Sequence, residues 1–148
     1  MAVYTQILYH IVWGTVHHED VLSSERQGDL YRYLIGKLQE KDCIVYSVGG
    51  YLEHLHVLTT VNPQISLVEL VDFLKLSTAN WIRDNKIFPE FAGWQAGFGA
   101  FTCSWQSRGQ ISHYIHNQPE HHQCRTFQEE MEEMFTKSGL NYSSKCLV

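Results

Sequence analysis

Two histidines flank one leucine at His54-Leu55-His56. The surrounding segment, residues 51–61, is rich in aromatic and branched side chains and reads as a β-strand. Neighbouring strand residues point to opposite faces, so His54 and His56 share one face and Leu55 takes the other. Two imidazoles side by side can hold one metal ion. The plainer reading is two polar residues on a solvated strand face. Tyr114 and Gln118 form a second group, spaced i, i+4 on one face of a short helical segment. A phenol has a pKa of about 10, so attack on phosphate at neutral pH needs a metal or a base beside it. The glutamine carbonyl is a hard oxygen ligand suited to Mg²⁺ or Mn²⁺. Periodicity by itself favours a simpler role for this helix. In that role Ile111, Tyr114, Ile115 and Gln118 form a buried stripe with a polar end.

The elements that must position these residues follow from the chain's punctuation. Residues 3–15 form a β-rich stretch. Ser24 with Gln27 is a capping box opening a helix to about Lys41, and Leu30, Leu34 and Leu38 mark its apolar face. Residues 44–48 are a second strand, and Gly49-Gly50 marks a turn before the histidine strand. Asn62-Pro63 ends that strand, and Ser66 with Glu69 opens a helix to about Asp84. Residues 97–105 read as a fourth strand. Ser107 with Gln110 opens the tyrosine helix, which Pro119 stops. Thr126 with Glu129 opens a last helix ending near Gly139. The order is β-α-β-β-α-β-α-α, and its first six elements match the split β-α-β, ferredoxin-like pattern. The expected fold is α+β: an antiparallel four-stranded sheet with helices on one face, plus C-terminal helices.

Composition narrows the class. The 148 residues are 44% hydrophobic and 18% charged, values of a globular chain, and a single domain over residues 1–148 is expected. No run reaches the ~18 apolar residues of a membrane span. The first ten residues lack a basic region and do not read as a signal peptide. Cys43, Cys103, Cys124 and Cys146 are far apart with no Cys-x-x-Cys pair, as expected of reduced thiols in a cytoplasmic protein. The net charge of −5 argues mildly against tight nucleic-acid binding.

Several ordered blocks nevertheless share a pattern. They are Tyr9-His-Ile-Val-Trp13, Glu53-His-Leu-His-Val57, Leu74-Lys-Leu-Ser-Thr78 with Trp81-Ile82, Trp94-Gln-Ala-Gly-Phe-Gly-Ala-Phe-Thr102, and Tyr114-Ile-His-Asn-Gln118 followed by Glu120-His-His122. In this order the chain resembles the HUH-type single-strand tyrosine transposases of small bacterial insertion sequences and their REP-associated relatives. The resemblance implies cleavage and rejoining of single-stranded DNA at hairpin-bearing element ends through a 5′-phosphotyrosine. It implies that Tyr114 is the nucleophile and that His54, His56 and Gln118 hold one divalent ion, Mg²⁺ or Mn²⁺. It also implies a homodimer, with active sites shared between chains in some members, acting at the nucleoid of a bacterial or archaeal cell.

Other residues carry weaker expectations. Glu53 could orient an imidazole, but strand alternation turns it away from both histidines. Lys75 and Arg108 are the leading DNA contacts, with Arg83 and Lys37 behind them, although a scattered helical charge set usually marks a solvated face. His10 is expected to be structural. His17-His18, His113, His116 and His121-His122 are expected at the surface or in packing, and Trp94 and Trp105 in the core. Two alternatives stay open: a domesticated DNA-binding or nicking protein of the same fold, and a metal-binding ferredoxin-like protein that does not act on DNA.

Overall fold

A computed structural model describes residues 2–140. Its strands are β1 (Leu8–Gly14), β2 (Val45–Gly50), β3 (His54–Thr60) and β4 (Gly99–Cys103). Its helices are α1 (Gln27–Glu40), α2 (Leu67–Asp84), α3 (Arg108–His116), α4 (Gln118–His121) and α5 (Phe127–Lys137). The sheet order is β2-β3-β1-β4, and each neighbouring pair is antiparallel. This is the α+β, split β-α-β arrangement expected from the order of elements. Cys146 lies outside the described residues; Cys43, Cys103 and Cys124 are free thiols. No helix among the described residues is long and apolar enough to cross a membrane.

The two sheet faces are covered differently. Ile11, Trp13, Leu55 and Val57 pack with Leu30, Leu34 and Leu38 of α1 and with Leu70, Val71 and Leu74 of α2. Burying each such leucine is worth roughly 1.5–3 kcal/mol, so this layer, the larger of the two, is a major source of stability. On the opposite face, Val12 meets Phe127 and Met131 of α5, while Leu8 and Leu58 meet Ile115 of α3. His54 and His56 point to this second face and are fully buried beneath the C-terminal helices. The solvated-face reading of the two histidines therefore fails.

Local signals succeed where the backbone alone decides and fail where packing intervenes. Ser66 and Thr126 cap their helices, accepting from the amides of Glu69 and Glu129 at 3.1 Å. The boxes at Ser24 and Ser107 do not form. Helix α1 starts after Arg26, with Gln27 donating to the Leu22 carbonyl at 2.8 Å, and a 3₁₀ turn over Trp105–Ser107 runs into α3. The tyrosine helix ends at His116, ahead of Pro119, and the proline lies in the first turn of α4. Gly49 and Gly50, expected in a turn, are the last residues of β2.

The reason at Gly49 is contact with α3. A Cβ there would lie 2.7 Å from the Ile115 carbonyl oxygen and 2.8 Å from its Cγ2. The glycine lets the tyrosine helix sit directly on the sheet. Gly49→Ala is expected to cost about 1–3 kcal/mol by overpacking. Urea denaturation should show that loss, and any activity of the site should fall with it, because α3 carries Tyr114.

Candidate active site

The site is built upward from β3. His54 pairs with Gly14 and His56 with Val12 of β1. His54 is stacked on Phe127, with ring centroids 4.2 Å apart. Its Nδ1 lies 2.5 Å from Glu53 Oε1. Glu53 precedes β3 and sits in the connecting turn, so strand alternation does not govern it. The expectation that it faces away is corrected: it orients His54. His56 Nδ1 lies 2.7 Å from Nε2 of His10, a supporting role for His10. Both histidines thus use Nδ1 for support and turn Nε2 inward.

The C-terminal helices meet these nitrogens. Gln118 is fully buried, and its Oε1 lies 2.8 Å from His54 Nε2 and 2.9 Å from His122 Nε2. Its Nε2 donates to Glu130 Oε2 at 3.0 Å. The Tyr114 hydroxyl donates to the same Glu130 Oε2. Glu130 Oε1 lies 3.1 Å from His56 Nε2, 3.4 Å from His122 Nε2 and 3.5 Å from His54 Nε2. His54, His56, Tyr114 and Gln118 therefore converge within one chain, around a carboxylate that the sequence did not single out. His122 was expected at the surface or in packing, and it too belongs to the cluster. A signal for each existed. Phe127, Glu130 and Met131 are the buried residues of α5, which places a carboxylate on that helix's apolar stripe. His122 continues the four-residue spacing from Tyr114 through Gln118.

The electrostatics follow from burial. Loss of solvent lowers the pKa of His54 and His56 to about 4 and that of His10 to about 3. Burial also opposes ionisation of Glu130, but the hydrogen bonds it accepts from His122 and His56 outweigh it and hold the carboxyl well below its usual range. Burial, followed by the neighbouring Glu130 charge, pushes the Tyr114 phenol above its usual range. The resting tyrosine is protonated, with a proton acceptor already on its oxygen.

The donor set has a conflict that a cation resolves. With Glu53 ionised, His54 donates from Nδ1–H, and its Nε2 carries a lone pair. That lone pair faces two further acceptors, Gln118 Oε1 and Glu130 Oε1. Turning the Gln118 amide would place its oxygen against Glu130 Oε2 instead. Burial disfavours a protonated ring here, so a bound divalent cation is the natural remedy. Candidate ligand atoms of His54, His122 and Glu130 lie within 4.8 Å of one another. Without a cation, acid should unfold the protein readily. The buried neutral histidines have folded pKa values below their unfolded ones, so their contribution is present above about pH 6.5 and lost as pH falls toward about 4. Glu130, also depressed, acts in the same direction. Thermal melts in EDTA should show the midpoint falling across that window.

Residues 3–118 match the family described as "Transposase IS200 like". The chain belongs to this family. It is 25% identical to the ISDra2 transposase TnpA of Deinococcus radiodurans over 118 residues, 76% of this chain and 84% of that protein. A crystal structure of a Deinococcus radiodurans R1 transposase superposes with a TM-score of 0.62 at 24% identity, covering 80% of this chain and 95% of that one. A REP-associated tyrosine transposase bound to a REP hairpin gives 0.60 at 13% identity, covering 82% and 74%. At these identities the two solved structures speak for the fold. Membership places the chain among proteins of DNA transposition and recombination. The matched segment ends at Gln118, so His122, Glu130 and all of α5 lie beyond it.

The chain holds its basic residues in various ways. Lys75 donates to the carbonyls of Gln95 at 2.9 Å and Gly97 at 2.6 Å, pinning the loop before β4. Lys37 pairs with Glu40 at 3.2 Å, and the Arg83 guanidinium lies 5.9 Å from the Phe91 ring centroid. These three belong to α1 and α2, across the sheet from Tyr114. Arg108 shares α3 with Tyr114, and its guanidinium stacks 3.2 Å above Trp105, which is 42% exposed rather than core. Trp94 donates from its indole nitrogen to Thr78 at 2.9 Å. His113 and His116 bond separately to Asn117 and Ser47 and do not converge. An open cleft of about 660 Å³, lined by Tyr51, Glu53, His122, Arg125 and Phe127 among others, borders the cluster.

Proposed function

We propose that this protein cleaves and rejoins single-stranded DNA at hairpin-bearing element ends, with Tyr114 as nucleophile and His54, His56 and Gln118 holding one divalent ion. The observation that carries the reading is the meeting of Tyr114 with His54, His56 and Gln118 in one buried cluster of a transposase-family chain. The relative solved with a REP hairpin supports a hairpin partner. In the reaction, Tyr114 Oη attacks the scissile phosphorus. Its proton passes to Glu130 Oε2, the bond from phosphorus to the 3′ oxygen breaks, and that oxygen takes up a proton from solvent, to which Glu130 returns the one it accepted. The product is a 5′-phosphotyrosine and a free 3′-hydroxyl, and strand transfer runs the same steps backward on another end. A divalent ion, when bound, offsets charge on the non-bridging phosphate oxygens. The histidines serve as neutral ligands, which their lowered pKa values favour, and Glu53 fixes the His54 tautomer.

A homodimer belongs to this proposal. The contacts of Tyr114 and Gln118 with His54 and His56 within one chain support a site assembled in cis, and sedimentation of the DNA complex would report the assembly. Incubation with labelled single-stranded ends plus Mg²⁺ or Mn²⁺ tests the activity, a covalent adduct being the expected product. Among the described residues few basic groups are free to meet phosphate, so binding should depend weakly on salt. The slope of log affinity against log salt is expected on the order of −2 to −4 per subunit. Fluorescence anisotropy across a salt series measures it, and a much steeper slope would reveal a basic groove that this account lacks.

A further inference from the structure

We propose that the C-terminal helices complete the ion's shell, adding Glu130 and His122 to His54, His56 and Gln118, and that this five-donor set selects a transition ion such as Mn²⁺ over Mg²⁺. The inference rests on the reading that the cluster takes a divalent ion. Its first support is spacing. Ligands held about 2.1 Å from an octahedral ion sit about 3 Å from one another. The pairs His54–Gln118, His122–Gln118, His56–Glu130, His122–Glu130 and His54–Glu130 are separated by 2.8, 2.9, 3.1, 3.4 and 3.5 Å. Five of the ten pairs among these atoms thus have the spacing of adjacent ligands; the ligand atoms of His54, His122 and Glu130 all lie within 4.8 Å of one another, and His56 joins them through Glu130.

The second support is charge. Glu130 is fully buried, and the groups that touch it are imidazoles, an amide and a phenol. Burying a carboxylate is costly unless a cation balances it. The nearby Arg125 pairs with Glu133 and acts on Glu130 only through space. A divalent ion among the donors would supply positive charge in direct contact with the carboxylate.

The third support is preorganisation. Phe127 and Met131 anchor α5 against Val12, Thr126 caps its first turn, and the His122 ring stacks on Tyr51 with centroids 5.5 Å apart. The His122 side chain is only 2% exposed. Glu130 also divides its labour. Oε1 faces the histidine nitrogens, while Oε2 holds the Tyr114 hydroxyl and the Gln118 amide. One carboxylate thus couples ion and nucleophile through a helix outside the family-matched segment.

Metal preference follows from the donor count. Mg²⁺ gives up its waters reluctantly and favours sites of one or two carboxylates. Three imidazoles and five protein donors suit a transition ion better. The test is calorimetric titration of the metal-free full chain with MnCl₂ and with MgCl₂. Wild type, Glu130→Gln, His122→Asn and His54→Ala are compared, each first checked for folding by circular dichroism. Wild type is expected to bind Mn²⁺ at least ~100-fold tighter than Mg²⁺. Glu130→Gln and His122→Asn should each lose about 10–100-fold in Mn²⁺ affinity. If Glu130→Gln alters the fold, His122→Asn carries the test. Wild-type Mn²⁺ affinity in both variants, with loss in His54→Ala, would overturn the inference and leave the proposed function standing. Unchanged affinity in His54→Ala as well would overturn both. Equal affinity of wild type for the two ions would overturn the selectivity.

Discussion

Tyr114→Phe is expected to bind the DNA hairpin as wild type does and to form no covalent adduct. The substitution removes one oxygen and keeps the ring, so the packing of α3 on β2 survives. It breaks the hydrogen bond from the phenol to Glu130 Oε2, and Gln118 remains as a donor to that oxygen. A hydrogen bond to a charged group is worth about 1.5–3 kcal/mol, so a measurable but modest loss of stability should accompany the change. If Tyr114 served only as part of a buried stripe, that loss would be the whole effect. As the nucleophile, its removal should lower strand cleavage on the order of 10⁴-fold or more. Adduct formed by the variant at the wild-type rate would assign the chemistry to another of the chain's eight tyrosines.

Replacing His54 or His56 by alanine is expected to abolish cleavage and also to destabilise the fold. A pair of ligands on an open strand face would contribute little packing, and their loss would leave the structure intact. Both rings are instead fully buried, His54 between Glu53 and Phe127 and His56 between His10 and Glu130. Alanine leaves a cavity lined by polar groups that lose their partner, at a cost of about 2–5 kcal/mol. A control on the same strand separates the two effects. Leu55 packs on the opposite face with α1 and α2, so Leu55→Ala should cost a similar amount of stability without reducing ion affinity in the folded protein. Thermal melts combined with ion titration distinguish them. A His56→Ala variant that still cleaves with wild-type metal dependence would remove β3 from the site.

The strand carrying the site was legible because alternation is a local property. It places His54 and His56 together and sends Leu55 to the main core without knowledge of the rest of the chain. The pairing of Tyr114 with Gln118 was legible from their four-residue spacing, although the helix between them breaks: Tyr114 lies in α3 and Gln118 opens α4, and Glu130 brings the two together. The partners that close the site were not. Glu130 sits in a run with Glu129, Glu132 and Glu133, and composition cannot tell which carboxylate turns inward. The packing of Phe127 and Met131 against Val12 decides it. Glu53 was misjudged because β3 starts at His54, three residues later than the 51–61 pattern suggests, which frees that side chain to turn back onto His54. Gly49 looked like punctuation because its role is to admit a helix distant in sequence. Lys75 looked available for phosphate, yet two backbone carbonyls in the loop before β4 claim it.

The central claim is that Tyr114 becomes joined to DNA. Peptide mapping by mass spectrometry of the complex formed with single-stranded element ends and Mn²⁺ tests it most directly. The account predicts a single modified peptide containing Tyr114, carrying the 5′-phosphate of the downstream strand, with a free 3′-hydroxyl on the released upstream strand. A nucleotide on another residue, such as Tyr51 in the bordering cleft, or cleavage with no protein-linked nucleotide at all, would contradict it.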